Sequence, residues 1–335
     1  MSNNEKNLDV VISSRVRLAR NLADFPFPGR MSREQYEQVC DAVADALSGA
    51  ASSFKITRMN DLSPAEARAM AERHLVSPEF AQAEHPRAAA ITSDGSVCIM
   101  INEEDHLRIQ ALGAGLCLEQ CLENAFRADD LIESRLRFAF DEKLGYLTHC
   151  PTNLGTGMRA SVMMHLPALT ETGEIRRLAN AVGKLGFTVR GIYGEGSAAT
   201  GAIYQVSNQV SLGLSEREIS DRLEKAVIGI IDREKELRKQ LRENSPLLFE
   251  DRIMRALGTL SFARLLSSGE ATQLITSLRL GAAEGLIDKL TIPELDSLLW
   301  DIQPNNIAAA GAGNERERDV KRAELVRSVV KRAAL

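Results

Sequence analysis

The segment THCPTNLGTGMR occupies residues 148–159 and carries more chemical information than any other part of the chain. It combines a thiol at Cys150, a Pro-Thr-Asn turn, two closely spaced glycines and the arginine Arg159. Gly155 and Gly157 allow the backbone to approach a ligand closely or to adopt a positive φ. The planar guanidinium of Arg159 is able to hold a phosphate through two donors. Alone, the segment is also typical of an ordinary connection between strands, so its interpretation depends on the rest of the chain.

Composition indicates a globular protein. The 335 residues are 44% hydrophobic and 26% charged, and this length suggests two domains. The net charge of -5 and the 4% aromatic content argue against a general nucleic-acid-binding protein. No apolar run reaches the roughly 18 residues that span a membrane, and the polar N-terminus lacks a signal-peptide core. We therefore expect a cytoplasmic protein with no direct nucleic-acid or membrane partner.

The cysteines predict neither a disulfide framework nor a zinc site. There are five, an odd number, and no CxxC pair occurs. Cys117 and Cys121 are four residues apart, and the leucines around them favour a buried apolar role over metal binding. We expect no metal ion held by the protein itself.

Hydrophobic patterning predicts a mixed first part and a helical last part. The elements predicted for the first part are strands at 97–101, 160–167 and 201–208, and helices at 107–122 (running into 126), 174–185 and 216–242. Ser215 is the predicted N-cap of the last of these helices. After Pro246 the pattern is helical, with breaks near 267–269 and 291–293. The predicted domains are therefore residues 1–244 and 245–335.

Several other segments carry arginines or acids outside obvious surface helices. Arg15 and Arg17 are two residues apart, so on a strand their side chains point the same way. Three acids at 103–105 follow a predicted buried strand and precede Arg108, while Arg190 lies in a glycine-rich segment. Each segment alone is equally consistent with a solvated turn.

Together, these residue types suit phosphoryl transfer to a guanidine. Arginines from separate segments neutralise a polyphosphate while Mg²⁺ bridges its phosphates. Carboxylates accept the paired donors of a guanidinium, align its nucleophilic nitrogen and remove a proton as it attacks phosphorus. The sequence contains no GxxxxGK[ST] loop and no HRD or DFG motif, so such an enzyme must use another fold.

The segments together resemble the phosphagen (guanidino) kinase family. The matching motifs are SSRVR at 13–17, NEEDHLR at 102–108, CPTNLGTG at 150–157 and the stretch from Arg190 to Asn208. The resemblance extends over approximately residues 9–240. It implies an α+β fold in which helices flank a mainly antiparallel sheet, and it implies ATP and Mg²⁺ as cofactors.

The resemblance also implies roles for single residues. Glu104 would be the main catalytic carboxylate, Glu195 the second one in a mobile loop, and Cys150 would lie against the substrate guanidinium. His74 resembles the nucleotide-contacting histidine of the family, while a core or surface histidine is an equally good interpretation. The residues implied to bind the nucleotide phosphates are Arg15, Arg17, Arg108, Arg159 and Arg190.

Two departures from creatine and arginine kinases favour a protein substrate. Those enzymes carry a helical domain ahead of the SSRVR motif, which encloses a small substrate, whereas here the motif begins at Ser13. They also lack the roughly 90 helical residues that follow position 244 here. Both features resemble the bacterial protein-arginine kinases of the family, an all-α C-terminal domain included.

A motif in the last helix supports the same branch. The RDxxRA motif of those kinases binds phosphoarginine and corresponds here to Arg318, Asp319 and Arg322. From the residues alone, the two arginines lie one helical turn apart and are able to grip a phosphate together. A solvated terminal helix with alternating charge fits the same pattern.

The implied function is ATP-dependent phosphorylation of arginine side chains in proteins. The implied partners are a heat-shock repressor and unfolded proteins as substrates, a zinc-containing activator, and a Clp protease that degrades tagged proteins. Two alternatives stay open, a kinase for a free small guanidino compound such as arginine and a non-catalytic phosphoarginine-binding adaptor. The apolar faces of the C-terminal helices fit either a homodimer surface or that domain's own core.

Overall fold

The structure is a computed structural model that describes residues 7–48, 54–191 and 200–333. Its strands are β1 (Val11–Arg20), β2 (Phe54–Arg58), β3 (Ala88–Thr92), β4 (Val97–Ile101), β5 (Leu107–Ala114), β6 (Phe140–Asp141), β7 (Gly145–Tyr146), β8 (Met158–His165), β9 (Phe187–Gly191) and β10 (Ile203–Asn208). Its α-helices are α1 (Arg33–Leu47), α2 (Pro64–Glu72), α3 (Pro78–Gln82), α4 (Leu118–Glu133), α5 (Pro167–Glu171), α6 (Ile175–Gly183), α7 (Glu216–Asn244), α8 (Pro246–Phe262), α9 (Ser268–Ala283), α10 (Ile292–Asp301), α11 (Pro304–Ala309) and α12 (Glu315–Val330).

One antiparallel sheet of eight strands organises the first part of the chain. Its strand order is β2-β3-β4-β5-β1-β8-β10-β9, and every neighbouring pair is antiparallel. β6 and β7 form a separate hairpin. The predicted α+β class is thereby confirmed. Because β1 lies between β5 and β8, three of the arginine-bearing segments are brought side by side.

Helices cover the sheet around β4 on both faces, which explains why all five residues of this strand are buried. Ile99 and Ile101 belong to the large core that includes residues of α1, α4 and α7. Cys98 and Met100 point to the opposite face and join a smaller core with residues of α2 and α3. A strand buried on both faces reads as a continuous apolar run, and this is the pattern at 97–101.

The helix predicted at 107–122 is wrong in its first half. Residues 107–114 form β5, which pairs with both β4 and β1. Leu107, Ile109 and Ala111 are fully buried at every second position, a period that indicates a strand rather than a helix. Gly115 then adopts a positive φ, and the helix begins only at Leu118.

The remaining predicted elements agree with the structure to within a few residues. The strands at 97–101, 160–167 and 201–208 correspond to β4, β8 and β10, and the helices at 174–185 and 216–242 correspond to α6 and α7. Ser215 caps α7 as predicted: its hydroxyl accepts from the Glu218 amide while the Glu218 carboxylate accepts from the Ser215 amide.

Helices α8, α9, α10 and α12 form an apolar core, which also takes in Ile12, Met163 and Ile203 from the sheet. A buried polar network joins the same two parts. The Arg279 guanidinium donates to Asp296 (2.6 Å) and to the Leu8 carbonyl (2.7 Å), and Arg238 donates to the His165 carbonyl (3.1 Å). Arg279 of α9 and Arg238 of α7 therefore tie their helices to the start of β1 and the end of β8, two central strands of the sheet. Among the described residues, no helix is both long and apolar enough to cross a membrane.

Candidate active site

The central strands place arginines directly opposite one another. In the register of β1, Arg17 faces Arg159 on β8 and Gln110 on β5, while Arg15 faces Ser161. Directly opposed residues of an antiparallel pair share one face, and like charges in that position destabilise the sheet. The arrangement therefore indicates a surface built for an anionic ligand.

A cavity of about 510 Å³ lies over this face. Arg15, Arg17, Arg108 and His74 contribute to its wall. The other residues that line it are Arg68, Ala71, Glu72, Val76, Ser77, Pro78, Glu79, Ala81, Gln82, Met100, Gln110, Gln303 and Asn305. The size falls within the range typical of small-molecule sites.

The two arginines of β1 are desolvated and crowded by positive charge. Burial, and then the charges of Arg108 and Arg159, lower the pKa of Arg15 to about 10. The same causes, with the charge of Arg15 added, lower the pKa of Arg17. At neutral pH Arg15 therefore stays protonated.

Arg15 and Arg17 differ in their hydrogen bonds. Arg15 is held by Ser161 Oγ (3.3 Å to Nε) and Gln205 Oε1 (3.0 Å to Nη2). In contrast, Arg17 Nε is buried and has no hydrogen-bond partner within the described parts of the chain. A buried donor without an acceptor costs about 1–3 kcal/mol, so an anion in the cavity would stabilise this group.

The acidic motif forms the tight turn between β4 and β5. Asn102 adopts a positive φ of 65°. Its backbone N–H donates to the His106 carbonyl (2.8 Å) and closes the turn. Arg108 Nη2 lies 2.9 Å from Glu103 Oε2 and 3.5 Å from Glu104 Oε2. The turn thus brings two carboxylates to an arginine that also lines the cavity.

Glu104 is the acid of this turn that stays accessible. Its side chain is 38% exposed, compared with 7% for Glu103. Partial burial raises the pKa of Glu104, with the charge of Arg108 acting in the opposite direction. A carboxylate with a raised pKa at the rim of a polar site has the properties of a proton acceptor.

Asp105 connects the acidic turn to the Cys150 segment. One oxygen, Oδ1, accepts from the His149 amide and from Asn21 Nδ2, both at 2.6 Å. Burial raises the pKa of Asp105, and these two donors oppose that rise. No role for this residue was predicted from the sequence, although it stands beside Glu104 in the same motif. It fixes the entry to the 150–157 segment relative to the acids.

The two glycines of the 150–157 segment meet the protein's own backbone. Gly155 has a φ of 97°, and a Cβ there would lie 2.8 Å from Leu212 Cα. Gly157 has a φ of 65°, and a Cβ would lie 2.6 Å from the Ala19 carbonyl oxygen. The predicted positive φ is confirmed at both glycines, whereas the close neighbour of each is the chain itself and not a ligand. The segment is thereby packed tightly between β1 and the residues after β10.

Arg159 lies on β8 directly opposite Arg17 of β1. Burial lowers the pKa of Arg159, and the charge of Arg190 lowers it further. The charges of Cys150 and Glu104 act on the pKa of Arg159 in the opposite direction. Cys150 is half-buried, and its Sγ lies 3.0 Å from Thr152 Oγ1. Arg190 is exposed on the edge strand β9, opposite Gln205.

His74 lies between the cavity and the C-terminal helices. Its ring packs edge-on against Trp300 of α10, with 4.8 Å between centroids, and its φ is +58°. Burial, and then the charge of Arg15, lower the pKa of His74 to about 4, so the ring is neutral. Its Nε2 is buried without a partner among the described residues. The residue is half-buried, lines the cavity and packs against Trp300, while a contact to the nucleotide stays a prediction.

The C-terminal region contributes directly to the cavity wall. The Glu72 carboxylate accepts from the backbone amides of Asn305 (2.9 Å) and Asn306 (2.8 Å) at the start of α11. Its neighbour Arg73 forms an ion pair with Asp301 (2.8 Å). Together with the contact between His74 and Trp300, these bonds join residues 72–74 to residues 300–306. Sequence reasoning missed Gln303 and Asn305, because nothing local marks a contact between segments so distant in the chain.

The RDxxRA residues lie on α12 and are not among the residues that line the cavity. Arg322 is buried and donates to the carbonyls of Ile302 and Leu266, both at 2.7 Å, and it pairs with Asp319. Arg318 is half-buried. The Arg322 guanidinium thus already joins three helical segments. Glu195 lies outside the described residues.

Comparison with known proteins decides the family. The model of the ATP:guanido phosphotransferase C-terminal catalytic domain matches residues 34–237, and that of the protein-arginine kinase McsB C-terminal domain matches residues 246–334. A protein-arginine kinase of Symbiobacterium thermophilum is 46% identical over 327 residues, covering 96% of this chain and 93% of that protein. The chain belongs to the protein-arginine kinase family. It is therefore a phosphotransferase of a family that uses ATP, and the resemblance predicted from its motifs is confirmed.

Further relatives agree. A protein-arginine kinase of Caldanaerobacter subterraneus subsp. tengcongensis is 47% identical over 324 residues, covering 95% of this chain and 96% of that protein. A crystal structure of lombricine kinase superposes with a TM-score of 0.62 at 27% identity, covering 69% of this chain and 67% of that chain. The duplicated taurocyamine kinase from Schistosoma mansoni, at 22% identity and a TM-score of 0.63, shares the fold over 78% of this chain and 40% of its own.

Proposed function

We propose that this enzyme transfers the γ-phosphoryl group of ATP to the guanidinium of arginine side chains in proteins. The observation that carries the proposal is the position of Arg108. It lines the arginine-rich cavity and at the same time contacts Glu104, so the phosphate-binding surface and the acidic turn meet at one residue. Full-length similarity to protein-arginine kinases supports a polypeptide as the acceptor.

In this proposal, five arginines hold the triphosphate and two acids hold the acceptor. Glu104 takes a proton from the incoming guanidinium, whose ordinary pKa exceeds roughly 12 and which is not nucleophilic while protonated. Glu195 is proposed as the second acid, and Cys150 as a contact to the guanidinium. The proposed triphosphate ligands are Arg15, Arg17, Arg108, Arg159 and Arg190. His74 is proposed to contact the nucleotide.

The chemical step follows from these roles. The guanidino nitrogen forms a bond to the γ-phosphorus while the bond between that phosphorus and the β–γ bridging oxygen breaks. The electron pair of the broken bond leaves with ADP, and the proton of the attacking nitrogen goes to Glu104. Arginines on four strands stabilise the charge that accumulates on the phosphoryl oxygens and the leaving group.

Mg²⁺ belongs to the proposal as the ion that accompanies ATP. In the described parts of the chain, no group of three His, Cys, Asp or Glu side chains is placed to hold a metal ion. The donor set present, an arginine cluster with acids paired to Arg108, suits a nucleotide that brings its own cation, ligated by phosphate oxygens and water. The ion would neutralise phosphate charge that the arginines leave uncompensated.

The proposal also includes the domain division and a second binding site. We propose a division into a catalytic domain up to residue 244 and a helical domain from 245, with Arg318, Asp319 and Arg322 as a phosphoarginine site. Since Arg322 already binds two carbonyls, ligand binding there would rearrange its bonds.

The proposed partners are a heat-shock repressor, unfolded proteins, a zinc-containing activator and a Clp protease, in the cytoplasm where ATP is available. A homodimer through the C-terminal helices belongs to the same set.

The experiment that tests this function offers the purified enzyme two acceptors with Mg-ATP. One is an unfolded arginine-rich protein, and the other is free arginine at the same arginine concentration. We expect phosphoarginine on the protein, detected by mass spectrometry under conditions that preserve acid-labile P–N bonds. Phosphorylation of free arginine in preference to the protein would contradict the proposal.

A further inference from the structure

Exposed apolar side chains surround the segment that carries Cys150. Phe140, Leu144, Val210 and Leu212 are 58%, 45%, 55% and 51% exposed, and we call these four residues the apolar rim. Single exposed leucines are ordinary on protein surfaces. Four large apolar residues gathered around one functional segment are not, because clustered exposed apolar groups mark interaction surfaces.

Hydrogen bonds fix the first half of the rim to the 150–157 segment. The Gly155 amide donates to the Leu144 carbonyl, and the Tyr146 amide donates to the Gly155 carbonyl, both at 2.9 Å. Phe140 packs edge-on against Tyr146, with 5.2 Å between ring centroids. The β6–β7 hairpin is thus hydrogen-bonded directly to the 150–157 segment.

The second half of the rim is fixed from the other side. Ser211, which separates Val210 from Leu212, donates from its hydroxyl to the Leu154 carbonyl (2.9 Å) and the Thr152 carbonyl (3.2 Å). Leu212 lies so close that a Cβ on Gly155 would approach its Cα to 2.8 Å. Gly155 therefore sits between the two halves, and the rim is continuous with the proposed guanidinium site.

We propose that the apolar rim binds aliphatic or aromatic side chains that flank the target arginine in an extended polypeptide. The inference rests on the proposed function and names the substrate class of the same site. An arginine that reaches Cys150 and Glu104 carries its neighbours across this surface, since extended chain advances roughly 3.3 Å per residue. Residues within about three positions on either side are therefore close enough to contact the rim.

The composition of the rim favours apolar neighbours over charged ones. Around the hairpin turn, the charged side chains of Asp141, Glu142 and Lys143 include both signs, so they offer no uniform potential to a charged peptide. Leucine, valine and phenylalanine instead gain from removing water between themselves and an apolar side chain. In folded proteins such side chains are mostly buried, so accessible segments that combine them with an arginine are characteristic of unfolded chains.

The test compares two peptides that differ only around a single arginine, one flanked by leucine and phenylalanine and one flanked by glycine and serine. We expect the wild-type kcat/KM to favour the apolar peptide by about tenfold, a difference of about 1.4 kcal/mol. The double variant Leu144→Ser with Leu212→Ser should lose this preference and retain wild-type activity on the glycine-serine peptide. Leu185→Ser with Leu247→Ser, at two leucines that are at least as exposed elsewhere, serves as the matched control.

Equal kcat/KM of the wild-type enzyme for the two peptides would overturn the inference, and this comparison requires no variant. A preference that survives in the rim variant, or is lost equally in the control, would overturn it as well. These outcomes leave the proposed function intact, because both peptides are phosphorylated in each of them. If the wild-type enzyme phosphorylates neither peptide, the proposed function itself fails.

Discussion

At the residue scale, two neighbouring glutamates of the site have different surroundings. Glu103 is nearly buried and pairs with Arg108 at 2.9 Å, whereas Glu104 is farther from the same arginine and partly exposed. Only the second acid can reach a substrate without losing a strong ion pair. The sequence placed both acids in one motif, but the hydrogen-bonded turn that distinguishes them required the pairing of β4 with β5.

The raised pKa of Glu104 predicts the pH dependence of catalysis. A proton acceptor works in its deprotonated form, so activity is present above its pKa and is lost as the pH falls through that value. Because burial raises the pKa, the loss begins at a higher pH than for an exposed glutamate, whose value is roughly 4.3. Profiles of kcat/KM against pH should show an acid limb that moves to lower pH in Glu104→Asp. An identical limb in both enzymes, which the titration of ATP alone would produce, would exclude Glu104 as its source.

Whether His74 contacts the nucleotide or is only a core residue can be tested by substitution. Its Nε2 is buried without a partner among the described residues, and His74 lines the cavity, so we expect it to contact bound nucleotide. The variant His74→Asn keeps a residue type that tolerates positive φ. It should weaken ATP binding by several-fold in calorimetric titration. Unchanged ATP affinity, accompanied by a lowered thermal stability, would make His74 a core residue only.

At the element scale, the 146–157 region depends on a buried ion pair beneath it. Arg20 donates to Asp129 through Nε (3.2 Å) and Nη2 (2.8 Å) and to the Thr156 carbonyl through Nη1 (3.0 Å). The Tyr146 ring covers the guanidinium, 3.4 Å from Cζ to the ring centroid. One arginine thereby connects β1, α4, the β6–β7 hairpin and the glycine segment.

Removal of the Asp129 carboxylate should therefore destabilise the folded protein. Asp129→Ala leaves a buried guanidinium without its counter-charge, and we expect a loss of about 3–5 kcal/mol in the free energy of unfolding. Urea denaturation monitored by circular dichroism measures this loss. Asp130→Ala, at the exposed neighbouring position of α4, is the control and should change stability little. Equal effects of the two substitutions would show that the ion pair does not stabilise the fold.

The elements also show what the sequence was able to predict. Segments with a distinct period or cap, such as 97–101 and the helix after Ser215, were predicted correctly. The helix predicted for residues 107–114 is wrong, because the apolar residues of this segment recur at every second position, as in a strand. This alternation is present in the segment itself, and pairing with two neighbouring strands then fixes its place in the sheet as β5.

At the scale of the whole molecule, the C-terminal region forms part of the wall of the arginine-lined cavity. Three contacts join residues 72–74 to residues 300–306. The Glu72 carboxylate accepts from a backbone amide at the start of α11, Arg73 forms an ion pair with Asp301, and the ring of His74 packs against that of Trp300. The Ile302 carbonyl in that segment also accepts from Arg322 of the RDxxRA motif. Contacts across more than 200 positions leave no local signature, which is why Gln303 and Asn305 were absent from the predicted site.

This contact predicts a long-range effect on ATP binding. Glu72→Gln replaces half of an acceptor by a donor facing the backbone amides of Asn305 and Asn306, and it removes a charge that favours the helix start. We expect ATP to bind several-fold more weakly and amide hydrogens at residues 304–309 to exchange faster. Glu250→Gln, at an exposed position of α8, is the control. Wild-type affinity and exchange in Glu72→Gln would show that the two regions are energetically independent.

The central claim is that the arginine cavity and the acidic turn form one active site that phosphorylates arginine in proteins. Its most direct measurement is phosphoarginine formation by the wild type, Glu104→Gln and Cys150→Ser, scored by mass spectrometry together with ATP affinity. We expect Glu104→Gln to bind ATP normally and to lose activity by about 10²–10⁴-fold, while Cys150→Ser keeps a larger share. Near-normal phosphoarginine formation by Glu104→Gln would contradict the account.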